Sequence, residues 1–217
     1  MQKYSFCIFG REYRLYSLQN GNKKLSENEI SLYATENEKY DFAFDFCDTP
    51  PALCALLVGY FIFFLRGVPL SDIILASRGE VYKVERNGAY VTVQLPRREL
   101  KLGKINVLGV DTEYADTENG RIVYFENLPK LDKTVLTGLL IFPGADVAKK
   151  MLAVTGRGDS VLLYGEGDFD MLYAVAKFLC AKGILKSKIR AKYKNDSLIF
   201  TYENGIIKVG ILPKIIK

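Results

Sequence analysis

The sequence predicts an α+β fold of two pseudo-repeated halves, each a curved, mostly antiparallel sheet or barrel around one buried helix. Two long apolar runs, residues 52–65 and 171–181, are each followed by a glycine (Gly67, Gly183) and by two strand-like stretches that meet at an Asn-Gly turn. The turns Asn87-Gly88 and Asn204-Gly205 lie 117 residues apart, and the pairs Leu95-Pro96 and Leu212-Pro213 that close the two patterns keep the same interval. A helix that is apolar on every face must be buried on every side, which requires a sheet wrapped around it. Two such units imply a domain at 1–113 with its helix at 50–66, a domain at 114–217 with its helix at 168–182, and a cleft between them.

In the first half, residues 4–9 and 13–18 read as strands broken at Gly10-Arg11, and Asn20-Gly21-Asn22 makes the next break. Residues 29–34 and 40–46 follow as strands, the second alternating aromatics with Asp41, Ala43 and Asp45. Asp48-Thr49-Pro50 is a helix start, a capping residue followed by proline in the first turn, and Gly67 and Pro69 end the helix. A hairpin at 72–77 and 81–86 through Arg78-Gly79 leads to a strand at 89–95. Residues 97–113 read as the crossover between halves.

In the second half, residues 121–125, 135–142 and 160–164 read as strands, Pro143-Gly144 and Gly156-Arg157-Gly158-Asp159 as turns, and 147–154 as either helix or strand. Asp168 or Asp170 caps the second helix, and the closing hairpins repeat the first half.

The chain has 217 residues, half of them apolar and a quarter charged, as in an ordinary globular protein. It contains no histidine, which excludes Ser-His-Asp and Cys-His catalysis, histidine-ligated metals and histidine pH switches. Acid–base chemistry is left to carboxylates, thiols, lysines and tyrosines. Cys7, Cys47, Cys54 and Cys180 match neither a disulfide framework nor a zinc motif, so no metal and no cofactor is expected. The apolar runs fall short of the roughly 20 residues that span a bilayer. Arg11 and Arg14 interrupt any signal peptide, so the expected location is cytoplasmic, away from membranes.

Every second residue from Lys186 to Lys194 is basic, which puts five cations on one face of a strand. No nucleic-acid motif or aromatic platform accompanies them. The sequence therefore favours a solvated, edge-protecting face, with a polyanion-binding module through strand 186–194 as the alternative and nucleic acid not an expected partner.

In order and spacing the chain resembles the diaminopimelate epimerase superfamily, which also holds proline racemases and phenazine-biosynthesis isomerases. Residues 117–125 (Thr-Glu-Asn-Gly-Arg-Ile-Val-Tyr-Phe) fall where that family has Gly-Asn-Pro-His leading into an apolar strand, and Phe142 to Tyr164 runs against the stretch ending in Tyr-Glu-Arg-Gly. The resemblance implies cofactor-independent isomerisation in an interdomain cleft that takes a small-molecule ligand. Family members invert a carbon centre with two thiols, each in a glycine-rich loop at a buried helix's N-terminus. There, backbone N–H groups and the helix dipole hold the substrate carboxylate.

This chain departs from that chemistry. Cys47-Asp48-Thr49-Pro50-Pro51 replaces Cys-Gly-Asn-Gly, with Asp48 at the catalytic spacing and two N–H donors lost to proline. Asp168-Phe169-Asp170-Met171 replaces Cys-Gly-Ser-Gly, Gly165-Glu166 replaces the Glu-Arg pair that grips the substrate, and of the contact residues Asn119 alone is matched. An aspartate base (pKa about 3.9) in place of a thiol (about 8.5) gives up about 6 kcal/mol of driving force for removing an unactivated α-proton. The resemblance with these departures implies a divergent member, lacking both catalytic-cysteine loops, that binds a small molecule without racemising amino acids. If the chain is an enzyme, it is a cofactor-independent isomerase using Asp48 and Asp168, with Cys47 as a remaining thiol whose pKa the helix N-terminus would lower. Asn119, Glu166, Thr49 and Asp170 are the candidate substrate contacts. Capping alone also accounts for Asp48 and Asp168. Asp48, Glu166, Asp168 and Asp170 in one cleft would repel an anion and favour a cation.

Overall fold

The structure, a computed structural model, describes residues 2–19, 23–36, 39–107, 110–125, 150–157 and 160–216. The expected strand at 135–142, the turn Pro143-Gly144, the start of 147–154, and the turn residues Asn20-Gly21-Asn22 and Gly158-Asp159 lie outside the described residues.

Two compact units emerge, residues 1–94 with 208–217, and residues 95–207. The division falls at 94/95 and not at 113. The segment read as a crossover is strand-forming, and the end of the chain returns to the first unit.

In the first unit, β1 (Gln2–Ile8), β2 (Arg11–Ser17), β3 (Glu29–Ala34) and β4 (Phe42–Phe46) precede α1 (Pro51–Tyr60). After the helix come β5 (Leu75–Ser77), β6 (Glu80–Tyr82), β7 (Val84–Asn87) and β8 (Tyr90–Gln94). In the second unit, β9 (Lys101–Val107), β10 (Val110–Thr117), β11 (Gly120–Phe125), β12 (Lys150–Arg157) and β13 (Ser160–Gly165) precede α2 (Met171–Ala181), and β14 (Lys188–Tyr193) and β15 (Asp196–Glu203) follow it. The chain ends with β16 (Ile206–Ile211) and β17 (Lys214–Ile216).

The repeat is written in the strand pairing. The first sheet runs β17-β1-β2-β3-β4-β5-β6, and the second unit contains the order β9-β10-β11-β12-β13-β14-β15. Along both, the successive pairs are antiparallel, antiparallel, parallel, antiparallel, parallel, antiparallel. The fifth pair, parallel in both, is the one bridged by the buried helix, as a crossover connection requires. The strand after each Leu-Pro pair completes the sheet of the other half: β9 pairs with β10, and β17 pairs with β1. Proline lacks the N–H a ladder needs, so Pro96 and Pro213 end β8 and β16 and release the chain for this exchange. β8 and β16, equivalents under the 117-residue offset, pair antiparallel with Thr92 opposite Gly210.

Nine of the ten α1 residues are buried, and the helix packs on β4, β7 and β8. Gly59 makes this approach possible, since a Cβ there would lie 3.1 Å from Val91 Cγ1 and 3.2 Å from Val84 Cγ2. The α-helix then widens into a π-helical turn, Phe61–Leu65. Helix α2 packs on β10 and β11, and in its otherwise apolar run Lys177 is exposed, as is the terminal Ala181. Cys54 is buried, whereas Cys7 and Cys180 are half-buried.

The basic strand behaves as its alternation predicts on one point and not on another. Lys188, Arg190 and Lys192 are exposed, while Ile189, Ala191 and Tyr193 are buried. However, β14 is an interior strand, paired with β13 on one side and β15 on the other, so these charges protect no edge. Among the described residues no helix is long and apolar enough to cross a membrane.

Candidate functional site

The candidate residues divide between the two units, Cys47, Asp48 and Thr49 in the first and Asn119, Glu166, Asp168 and Asp170 in the second.

In the first unit, β4 ends at Phe46 and the chain bends sharply before α1. Asp48 holds a left-handed backbone, φ +48°, and is exposed. Phe9, Arg78, Lys194 and Asn204 adopt the same conformation inside two-residue hairpin turns, where the turn type demands it. Asp48 is in no hairpin. The expected cap is not made: Pro50 occupies the cap position and no side chain bonds the first turn of α1. The Thr49 hydroxyl, which is buried, donates instead to the Cys47 carbonyl at 3.1 Å.

The Cys47 thiol donates to Asp48 Oδ2 at 3.5 Å. That carboxylate pushes the thiol above its ordinary pKa, partial burial adds to the rise, and Arg78 opposes it. This corrects the expectation that the helix N-terminus would lower it. Arg78 also fixes the loop, since Nη2 donates to the Phe46 carbonyl at 2.6 Å and the guanidinium lies 4.1 Å above the Phe46 ring.

In the second unit, Asp168 does cap. Its Oδ1 accepts from the Met171 N–H at 3.1 Å, in the first turn of α2. Asp170, at the formal cap position, makes no cap bond and instead accepts from Arg98 Nη2 at 3.3 Å. Burial raises the Asp170 pKa against the pull of Arg98, and Asp168 and Glu118 raise it further. Arg98 Nη1 lies 4.0 Å from Glu118 Oε2. Glu166, which is exposed, pairs with Lys194 at 3.3 Å. Two of the four acids expected to build a negative field therefore have cationic partners of their own. Asn119 lies in the two-residue turn between β10 and β11, which Thr117 closes by accepting from the Gly120 N–H at 3.0 Å.

Tyr193 sets the shape of the second loop. Its hydroxyl accepts from the Gly167 N–H at 2.8 Å and is shared between the carbonyls of Gly167 (3.1 Å) and Gly165 (3.3 Å). Gly165 has φ +100°, and a Cβ at Gly167 would lie 2.5 Å from Leu152 Cδ1, so both glycines are required where they stand.

Sequence reasoning missed Arg78, Arg98 and Tyr193. Tyr193 left a signal, because it falls on the apolar side of the basic alternation and a buried tyrosine hydroxyl needs a partner. Arg78 left a weaker one, an arginine in the left-handed slot of an Arg-Gly turn where asparagine is the ordinary choice. Arg98 left none. Among the described residues no group of three or more Cys, Asp or Glu side chains is placed to hold a metal ion.

No protein-family model matches the sequence, and no curated protein matches it. Solved structures do. A phenazine biosynthesis protein of the PhzF family from Enterococcus faecalis aligns with a TM-score of 0.61 at 11% identity, covering 100% of this chain and 98% of that one. A Clostridium difficile protein of the phenazine biosynthesis PhzC/PhzF kind aligns with a TM-score of 0.56 at 11% identity, covering 99% and 97%. The chain thus has the α+β fold of the diaminopimelate epimerase superfamily, as its order of elements indicated.

Proposed function

We propose that this chain uses the diaminopimelate-epimerase-like fold to bind a small molecule and does not invert amino acids by a two-thiol mechanism. The observation that carries this reading is the state of the two helix-leading loops. The first offers one thiol, hydrogen-bonded to the neighbouring Asp48 carboxylate, which raises its pKa, and the second offers none. Two-base inversion needs one group ionised to accept a proton while the other donates, and a carboxylate beside a thiol works against its ionisation. In the second loop the Asp168 carboxylate is engaged at the helix terminus.

The test is solvent exchange. Incubated in D2O with the L- and D-forms of proline, glutamate and diaminopimelate, the protein is expected to incorporate no deuterium at the α-carbon by mass spectrometry. Incorporation that the Asp48→Asn variant abolishes would overturn the reading in favour of its alternative, a cofactor-independent isomerase using Asp48 and Asp168. One observation favours that alternative: the exposed Asp48 carboxylate is presented by a left-handed backbone outside any hairpin, and such strain concentrates at functional positions.

A polyanion-binding reading rests on β14, whose cations cannot be explained as edge protection. It expects retention on heparin that falls steeply with salt and that the combined Arg190→Ser and Lys192→Ser substitutions remove.

A further inference from the structure

At the end of α1 remote from Cys47 and Asp48, the first unit contains a cavity of about 590 Å³. The fifteen residues from Pro51 to Leu65 separate the two places by roughly 20 Å of helix. One wall is apolar, formed by Leu32 and Phe42 from the sheet and by Phe61 and Ile62 from the helix. Gln2 and Arg66 stand among the polar groups that line the rest.

Three features set this cavity apart from an incidental surface recess. Its volume lies within the range of small-molecule sites, roughly 300–1,000 Å³. Its helical wall is where α1 changes to a π turn: the Arg66 N–H donates to the Phe61 carbonyl, five residues back. The wider turn inserts an extra residue into the helix, with Phe61 and Ile62 buried, Phe63 and Leu65 half-buried and Phe64 exposed. Insertions of this kind recur at functional sites. Arg66, at the cap of this turn, is exposed and makes no ion pair among the described residues. The Gln2 side chain accepts from the Tyr4 hydroxyl at 3.1 Å, which fixes its oxygen and leaves its amide N–H groups to donate. The Tyr4 ring packs at a tilt against Phe61, centroids 4.8 Å apart, and steadies the apolar wall.

We propose that this cavity binds a small organic anion with a flat apolar body, such as an aromatic carboxylate or sulfonate. The ring lies against Phe61, Ile62, Leu32 and Phe42. The anionic head takes charge-assisted hydrogen bonds from Arg66 and an N–H from Gln2. This site is separate from the helix-leading loops and does not depend on what they do.

The test uses 8-anilinonaphthalene-1-sulfonate, an anionic aromatic probe whose fluorescence rises in apolar surroundings. Saturable binding with one site per chain is expected. Arg66→Gln, with melting unchanged, is expected to weaken it about tenfold, the loss of one hydrogen bond to a charged group. Ala34→Trp, which puts an indole into the cavity mouth, is expected to abolish it. Asp48→Asn and Asp168→Asn are expected to leave it unchanged, so a failure of the proposed function and a failure of this site read out separately. Methyl NMR on the wild-type chain supplies a measurement free of folding effects: the probe should shift Leu32 and Ile62 and leave Leu172 and Val175 in α2 unmoved. Absence of saturable binding, insensitivity to both Arg66→Gln and Ala34→Trp, or shifts confined to α2 would each overturn the proposal.

Discussion

Residues 47–50 lead into α1 with no side chain bonding its first turn, whereas residues 165–170 lead into α2 with Asp168 on the Met171 N–H, Tyr193 on the Gly167 N–H and Arg98 on Asp170. The first loop spends its polar groups on itself, thiol to Asp48 and Thr49 to the Cys47 carbonyl, and is tied down from outside by Arg78. Equivalent places in a duplicated fold have thus diverged. The second loop is one whose carboxylates the surrounding structure satisfies, and the first presents an exposed carboxylate on a strained backbone. Chemistry beyond binding is therefore to be sought at Asp48 before Asp168.

The largest expected effect tests whether carboxylates in the first unit are satisfied anywhere. Glu29 accepts from Lys23 at 2.6 Å, Ser26 N–H at 3.0 Å, Tyr16 at 2.9 Å and Arg14 at 3.3 Å. The lysine bond leads in lowering its pKa to about 2. An acid held below its unfolded value stabilises the fold above that value, and the contribution is lost as pH falls toward the folded one. Glu29→Gln is therefore expected to cost about 3 kcal/mol at pH 7 by urea unfolding. The gap to wild type should shrink to less than half near pH 3, as unfolded glutamate protonates. A gap that is constant with pH would place the effect in packing.

Next is Tyr193→Phe, which orphans the Gly167 N–H and is expected to cost about 2 kcal/mol. Hydrogen exchange at Gly167 should quicken while exchange in α1 stays as it was. Equal quickening in both helices would mean that the tyrosine supports the whole chain and not this loop.

Much of the fold was legible because it rests on local chemistry repeated twice: the Asn-Gly turns, the Leu-Pro ends and the two apolar helices each have a sequence mark. The strand exchange was not legible. Residues 101–107 alternate weakly and carry Lys101, Gly103 and Lys104, and nothing local says that β9 pairs with β10. The interior position of β14 was hidden for the same reason, since a strand's neighbours are tertiary facts. At the candidate site, Asp168 reads as a cap and is one. Asp48 reads as a cap just as well, and only the backbone bend ahead of Pro50 carries it away from the helix. The arginines that steady both loops come from 32 and 72 residues away, beyond any spacing rule.

Substituting the two aspartates sets the loops against each other directly. Asp168→Ala is expected to cost about 1 kcal/mol, the usual loss of a helix cap. Asp48→Gly is expected to cost nothing or to stabilise slightly, because glycine accepts a left-handed backbone without the steric penalty of a Cβ. A loss at Asp48 equal to that at Asp168 would mean that its carboxylate holds a partner the loop needs.

The smallest effect concerns reactivity and leaves stability alone. A thiol reacts with alkylating agents through its thiolate, so whatever raises its pKa slows it. In Cys47 the carboxylate of Asp48 is the leading cause, with Arg78 opposing. Iodoacetamide labelling of the Cys47 peptide at pH 7.5, followed by mass spectrometry, is expected to be slow in the wild type and several-fold faster in Asp48→Asn. Arg78→Met should slow it further, and the buried Cys54 should stay unlabelled in all three. If Asp48→Asn labels no faster, the thiol is not governed by this carboxylate. The first loop would then have to be read as open to thiolate chemistry, which is the property that separates a binding protein of this fold from one that moves protons.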